Sequence, residues 1–102
     1  MQTQKKVALV TGGSRGLGKN MALSLSKKGI DVIITYNTNK DEAQKVVDEI
    51  KKQGSRSASL RLNTGSIRSF ESFSLQLSDI LRRDWTRESL DFFINNAGID
   101  SR

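Results

Sequence analysis

The sequence predicts an α/β fold, with a doubly wound parallel sheet covered by helices. The first observation is a set of short, almost wholly apolar runs, such as residues 7–10 and 32–34, which suit strands buried on both faces. The second is that segments with helical periodicity separate these runs. The third is the resulting order, β-α-β-α-β-α-β, which is typical of a parallel sheet. Because crossovers are right-handed, we expect the strand order 3-2-1-4.

The first two strands flank a glycine-rich turn and a helix. The first strand is predicted over residues 5–11, and the turn occupies residues 12–18. The helix that follows ends before Gly29, which has the position of a C-terminal glycine. Its expected apolar stripe consists of Leu17, Met21, Ala22 and Leu25. Residues 32–34 then form the centre of the second strand.

The second helix is predicted over residues 40–52. Thr38 and Asn39 supply capping oxygens at its start, and Gly54 follows its end. Its apolar side chains recur at helical spacing and are Ala43, Val46, Val47 and Ile50. A third, weaker strand is expected over residues 57–62.

The third helix is predicted to begin after Ser66, which can cap it. Its apolar stripe consists of Ile67, Phe70, Phe73, Leu77, Ile80 and Leu81. A polar connection over residues 82–91, which contains Trp85, follows this helix. It leads into a fourth strand at residues 92–94.

The composition is that of a globular protein and predicts one domain or part of one. The chain has 102 residues, of which 35% are hydrophobic and 27% are charged. No apolar stretch approaches the roughly 18 residues of a membrane span. The sequence also lacks a secretory signal pattern, so we expect a cytoplasmic protein that does not bind membranes.

The formal net charge of +6 has a structural explanation. The cationic pairs at residues 27–28, 51–52 and 82–83 lie at three separate predicted helix ends, where the helix dipole favours positive charge. We therefore expect no nucleic-acid binding. The chain contains no cysteine and no histidine. It offers neither thiolate nor imidazole ligands, so no metal site is predicted.

The turn has glycines at positions 12, 16 and 18, between a buried strand and a helix. Glycine tolerates the positive φ of a tight turn, and its missing Cβ lets a phosphate approach the main chain. A P-loop would need a hydroxyl at the position of Asn20 to bind Mg²⁺, so a nucleoside triphosphatase is disfavoured. The turn predicts a nucleotide diphosphate at the N-terminus of the first helix. A glycine turn that serves packing alone is the alternative.

Two motifs resemble those of the short-chain dehydrogenases/reductases. Residues 11–18 are similar to that family's Thr-Gly-x-x-x-Gly-x-Gly cofactor motif, and residues 95–98 are similar to its Asn-Asn-Ala-Gly motif after the fourth strand. The subgroup that the chain most resembles includes 3-oxoacyl-carrier-protein reductases and glucose dehydrogenases. The resemblance implies a Rossmann-like fold. Residues 1–102 would be the N-terminal dinucleotide-binding portion of a single domain, from which the catalytic part is absent.

The resemblance also implies cofactor contacts, residue by residue. The residues expected around the cofactor's phosphates and adenosine ribose are Gly12, Ser14, Arg15, Gly16, Leu17 and Gly18. Asn63 and Thr64 would lie beside the adenine, where this chain lacks the aspartate usual in the family. The residues expected to border the cofactor's ribose and to tie the fourth strand into the sheet are Asn96, Ala97 and Gly98.

The end of the second strand favours NADP(H) over NAD(H). An acid there would accept hydrogen bonds from both ribose hydroxyls of NAD and would repel a 2′-phosphate. No acid follows this strand before Asp41. Arg15 offers a charge-assisted fork for the phosphate, while Asn37 and Thr38 offer neutral donors.

The family's catalytic set is a serine, a Tyr-x-x-x-Lys pair and an asparagine beyond the fourth strand, so no catalytic residue is assigned here. Tyr36 and Lys40 copy the Tyr-x-x-x-Lys spacing by coincidence, and Tyr36 is expected at a half-buried strand end. The resemblance implies an oxidoreductase, a dimer or tetramer of identical subunits, which transfers hydride reversibly between NADP(H) and a small carbonyl or alcohol. The alternative is a non-catalytic fragment that binds a nucleotide or mediates oligomerisation.

Overall fold

The computed structural model of the chain describes residues 6–14, 16–63, 67–87 and 89–96. In chain order, its elements are β1 (Val7–Thr11), α1 (Gly16–Lys27), β2 (Asp31–Tyr36), α2 (Lys40–Lys52), β3 (Ser57–Arg61), α3 (Ile67–Trp85) and β4 (Phe92–Asn95). The four strands form one parallel sheet in the order β3-β2-β1-β4. The predicted fold class and strand order are confirmed.

The two central strands form the buried middle of the sheet. Every residue of β1 is buried, and so are five of the six residues of β2. Side chains of β1 enter two separate cores, because successive residues of a strand point to opposite faces. Val10 packs against α1 and α2, whereas Val7 and Leu9 pack against α3. A sheet covered on both faces explains the short apolar runs in the sequence.

Small residues form the buried face of α1. Gly18, Ala22 and Ser26 are buried and recur every four positions along the helix. Leu17, which the periodicity predicts to lie in the buried stripe, is 61% exposed, so that prediction is wrong. The small side chains let α1 approach the sheet closely, and Leu17 lies about 100° around the helix from Gly18.

The second helix has the predicted bounds and the predicted buried face. The N–H of Glu42 donates to Asn39 Oδ1 at 3.1 Å, so Asn39 caps the start of α2. The buried residues of the helix are Ala43, Val46, Val47 and Ile50. This element follows from local sequence alone.

The third helix is longer than predicted. It continues to Trp85, although the sequence predicts a polar connection over its last turn. The indole N–H of Trp85 donates to Asp31 Oδ2 at 2.7 Å, so a partner far away in sequence stabilises that turn. Phe73 and Leu81 are buried as predicted, but Phe70 is 45% exposed and belongs to neither core. None of the described helices, α3 included, is long and apolar enough to cross a membrane.

Strand β4 lies at one edge of the sheet and is much less covered. In the described part of the chain it pairs with β1 alone, with Phe93 opposite Leu9. Phe92 is 41% exposed and Phe93 is 62% exposed. Because neighbouring side chains of a strand point to opposite faces, apolar surface is exposed on both sides of β4.

Candidate functional site

The glycine turn between β1 and α1 is fixed to the end of β2 by Thr35. The N–H of Gly12 donates to Thr35 Oγ1 at 3.0 Å, and the N–H of Gly13 donates to the Thr35 carbonyl oxygen at 3.1 Å. Thr35 itself is only 2% exposed. These two amides serve the fold. The first turn of α1 offers further main-chain N–H groups to a ligand.

The start of α1 opens onto free space at Gly16, its first residue. Gly16 has a φ of 62°, which favours glycine, and a Cβ there would find no described heavy atom within 4 Å outside its own stretch of chain. The first turn of an α-helix carries N–H groups without intrahelical acceptors and a partial positive charge. This opening can therefore hold a phosphate group.

Gly18 brings three elements into contact. A Cβ at Gly18 would overlap the Gly12 carbonyl oxygen and would lie 2.6 Å from Asn96 Nδ2. Only glycine lets the first turn of α1 pack this closely against the ends of β1 and β4. The same packing directs the N-terminus of α1 towards the carboxyl edge of the sheet.

The residues that follow β1 and β4 are joined by a small hydrogen-bond network. The Thr11 hydroxyl donates to Asn95 Oδ1 at 3.0 Å and accepts the N–H of Asn96 at 2.8 Å. Asn96 Nδ2 in turn donates to the Gly12 carbonyl oxygen at 3.5 Å. Asn96 is 8% exposed. Asn96 thus joins the end of the fourth strand to Thr11 of β1 and to the glycine turn.

A cleft of about 400 Å³ lies at the carboxyl ends of β2 and β3. It is lined by Tyr36, Asn37, Thr38, Lys40 and Arg61. The Nε–H of Arg61 donates to the Asn37 carbonyl oxygen at 3.0 Å. The lining residues include two cations and no acid, so the cleft favours an anionic group.

Two of these lining residues, Lys40 and Arg61, have no place among the site residues predicted from the sequence. Lys40 is the first residue of α2, and Arg61 is the last residue of β3, where it pairs with Tyr36 in the parallel register. The strand register of the structure identifies Arg61, because it places the end of β3 beside the end of β2. Tyr36 is half-buried at the end of its strand, as expected.

The predicted site residues that the structure describes gather at the carboxyl edge of the sheet. Those near the start of α1 are Gly12, Ser14, Gly16, Leu17, Gly18 and Asn96. Asn37 and Thr38 lie in the cleft, and Asn63 follows β3 at the same edge. The remaining predicted site residues fall outside the described residues and are Arg15, Thr64, Ala97 and Gly98.

Comparison with known proteins gives a consistent result at the level of the family. The family model described as short chain dehydrogenase matches residues 6–102. Hydroxynaphthalene reductase-like protein Arp2 of Metarhizium robertsii is 40% identical over 95 residues, which are 93% of this chain and 33% of that protein. Trihydroxynaphthalene reductase of Colletotrichum orbiculare is 38% identical over 96 residues, or 94% of this chain and 32% of that protein.

Solved structures share the fold. The landomycin C-6 ketoreductase LanV, with bound NADP and rabelomycin, superposes with a TM-score of 0.83 at 31% identity. The match covers 88% of this chain and 37% of that chain. The chain spans about a third of the length of the curated relatives that it matches.

Proposed function

The chain belongs to the short-chain dehydrogenase family, and we propose that it forms the part of an oxidoreductase that binds NADP(H). The whole enzyme would transfer hydride reversibly between this cofactor and a small carbonyl or alcohol. The two relatives described above are named as reductases, which supports the direction of the chemistry. We also propose that the enzyme acts in the cytoplasm as a homo-oligomer.

The observation that carries the choice of NADP(H) is the cationic cleft at the end of β2. An acid in this position would accept hydrogen bonds from the ribose hydroxyls of NAD(H) and would repel a 2′-phosphate. The side chains that line the cleft instead include Lys40 and Arg61, with Asn37 and Thr38 as neutral neighbours. The NADP bound to LanV is consistent with this choice.

The residues of the chain fit a dinucleotide at the carboxyl edge of the sheet. The open approach to Gly16 and the N–H groups of the first turn of α1 suit the diphosphate. Asn37 and Thr38 would contact the adenosine ribose. The partners proposed for the adenine are Asn63 and Thr64, and those proposed for the other ribose are Asn96, Ala97 and Gly98. Arg15 remains our proposal for a further phosphate contact.

When bound, the nicotinamide would supply the hydride, and the task of the described residues would be to hold and orient the cofactor. Leu17 exposes a large apolar side chain at the start of α1, where it would cover one side of the bound dinucleotide. Asn96 would hold the end of β4 in place through its bond to the Gly12 carbonyl oxygen. The acid–base groups are proposed to follow the fourth strand, as the family resemblance implies.

The cofactor assignment is tested by replacing Asn37 with an acid. We expect the unchanged chain to bind NADP⁺ at least tenfold more tightly than NAD⁺ in isothermal titration calorimetry. Asn37→Asp should weaken NADP⁺ binding about tenfold, because it places a carboxylate beside the 2′-phosphate. Gln76→Glu, the same amide-to-acid change on the exposed surface of α3, is the matched control and should leave both affinities unchanged.

Equal affinities for the two cofactors, or a preference for NAD⁺, would contradict the choice of NADP(H). No binding of either cofactor would contradict the site itself. The 102 residues alone are not expected to be active. Oxidation of NADPH with a panel of ketones by the whole natural protein then separates a reductase from a non-catalytic nucleotide-binding fragment, which would bind the cofactor without turnover.

A further inference from the structure

Arg61 is placed in the cleft by the parallel register of β2 and β3. It is the last residue of β3, and its partner across the ladder is Tyr36, the last residue of β2. Strand β3 thus places a guanidinium beside the end of β2, where the adenosine ribose of the cofactor is proposed to bind. Arg61 is exposed to solvent, so it can contact a ligand without a rearrangement of the fold.

The hydrogen bond to Asn37 leaves most of the Arg61 guanidinium available. A guanidinium carries five N–H groups, and the bond to the Asn37 carbonyl oxygen, 3.0 Å long, uses the one on Nε. The four N–H groups on the two terminal nitrogens are not engaged by this bond. Two of them in parallel match two oxygens of a phosphate group.

The same hydrogen bond orients the guanidinium before any ligand arrives. A free arginine side chain samples many rotamers and loses that freedom when it binds. A contact with the main chain of residue 37 reduces this loss, because the acceptor is part of the backbone at the end of β2. Arg61 differs in this respect from an arginine that is merely solvated on the surface.

A second cation reinforces the charge in the cleft. Lys40 lines it from the first residue of α2, where the helix dipole adds partial positive charge. The lining contains no carboxylate that would neutralise the pair. The cleft is therefore suited to the most highly charged substituent on the adenosine ribose, a phosphate dianion.

We infer that Arg61 is a specificity-determining residue, which recognises the 2′-phosphate of NADP(H) with support from Lys40. The inference rests on the proposed function, because it presupposes a dinucleotide at the carboxyl edge of the sheet. It assigns the discrimination between the two cofactors to a residue of β3. The contribution of Arg61 is separate from that of the N–H groups in the first turn of α1, which would hold the diphosphate common to both cofactors.

The test compares ligands that differ only in the 2′-phosphate. Adenosine 2′,5′-bisphosphate and adenosine 5′-monophosphate form one pair, and NADP⁺ and NAD⁺ form the other. Dissociation constants of all four are measured by calorimetry for the full chain and for Arg61→Gln. We expect the variant to bind both 2′-phosphorylated ligands about tenfold more weakly and the other two within about twofold.

Two further variants separate charge from geometry and from folding. Arg61→Lys keeps the charge but lacks the planar fork, so its affinity for NADP⁺ should fall between those of the other two proteins. Arg82→Gln removes an exposed arginine of α3 that lines neither of the clefts described in this chain, and it should change no affinity. Thermal denaturation monitored by circular dichroism should give the same midpoint for all variants.

The outcomes distinguish the inference from the proposed function. If the unchanged chain prefers NADP⁺ and Arg61→Gln has no effect on that preference, the inference is overturned and the proposed function stands. If the variant weakens all four ligands equally, Arg61 supports the adenosine site as a whole and does not select the phosphate, which also overturns the inference. A preference of the unchanged chain for NAD⁺ overturns the proposed function and the inference together.

Discussion

The two ends of the parallel strands use their polar groups differently. At the amino end, the buried carboxylate of Asp31 accepts hydrogen bonds from the main-chain N–H of Arg56 at 2.9 Å and from the indole N–H of Trp85 at 2.7 Å. At the carboxyl end, hydrogen bonds join the glycine turn to Thr35 and Asn96, while Lys40 and Arg61 line an open cleft. The polar groups at the amino end stabilise the fold, whereas those at the carboxyl end leave positive charge accessible to a ligand.

Two of the cations at the amino end are engaged within the chain. A cleft of about 530 Å³ lies there, lined by Lys51, Ser55, Arg56, Ser57, Arg83, Asp84 and Trp85. Arg83 forms an ion pair with Asp84 at 3.2 Å, and Arg56 donates to the Asp84 carbonyl oxygen. The comparison teaches that positive charge alone does not indicate a ligand site. What distinguishes the carboxyl end is a cleft whose lining includes two cations and no acid.

The largest effect is expected at Gly18, which packs the first turn of α1 against the ends of β1 and β4. Gly18→Ala forces a Cβ against the Gly12 carbonyl oxygen and Asn96 Nδ2, and we expect it to lower the free energy of unfolding by about 3 kcal/mol. NADP⁺ binding should be lost as well, because the start of α1 must move.

Gly16→Ala is the matched control for Gly18→Ala. It meets open space and adds only the strain of a positive φ, about 1 kcal/mol. Urea denaturation measures both losses of stability. Equal losses for the two variants would contradict the larger effect that the overlap of a Cβ at Gly18 with the Gly12 carbonyl oxygen predicts.

A smaller effect is expected at the amino end, and it should be confined to stability. Asp31→Ala leaves the Arg56 N–H and the Trp85 indole N–H without their acceptor, which should cost about 2 kcal/mol. Trp85→Phe removes one of the two bonds and should cost about half as much. Neither change should alter the dissociation constant for NADP⁺, measured where both variants are fully folded. A weaker affinity in either variant would show that the two ends of the sheet are coupled.

The smallest effect near neutral pH is expected at Asp91, which also lies at the amino end. The N–H of Val7, which donates to the Asp91 carboxylate at 2.8 Å, holds the pKa of Asp91 below its ordinary value of 3.8, and Arg87 adds to the effect at 3.0 Å. A carboxyl whose folded-state pKa is lowered stabilises the fold above its unfolded-state pKa, which is close to the ordinary value of 3.8. That contribution is lost as the pH falls through the lowered value.

Asp91→Asn should therefore cost less than about 1 kcal/mol near neutral pH, since the carboxylate is partly exposed. The difference from the unchanged chain should shrink as the pH falls through the lowered pKa of Asp91 and should vanish below it. Urea midpoints measured across this range check the expectation. Arg87→Gln should keep most of the pH dependence, because the bond from Val7 is the larger cause. A difference between Asp91→Asn and the unchanged chain that is constant with pH would contradict the assignment.

The sequence predicts those parts of the fold whose causes are local. The capped helix α2, the apolar strands β1 and β2 and the turn between β1 and α1 all follow from residues close together in the chain. Periodicity fails where the tertiary contact decides. It assigns Leu17 to a buried face, although the buried residues of α1 are all small. It also ends α3 before Trp85, because it does not include the hydrogen bond from the Trp85 indole to Asp31.

The sequence by itself determined the order of elements, the position of the glycine turn and the absence of an acid before Asp41. Glycine spacing, strand hydrophobicity and helix caps act over a few residues, so they can be read without coordinates. Only the tertiary structure decided that the fold uses the amides of Gly12 and Gly13 and that Arg61 lines the cleft. Thr35 accepts a hydrogen bond from the glycine turn, and Arg61 donates one to the carbonyl oxygen of residue 37. Both contacts cross from one strand to the next, so they depend on strand register, which no local pattern specifies.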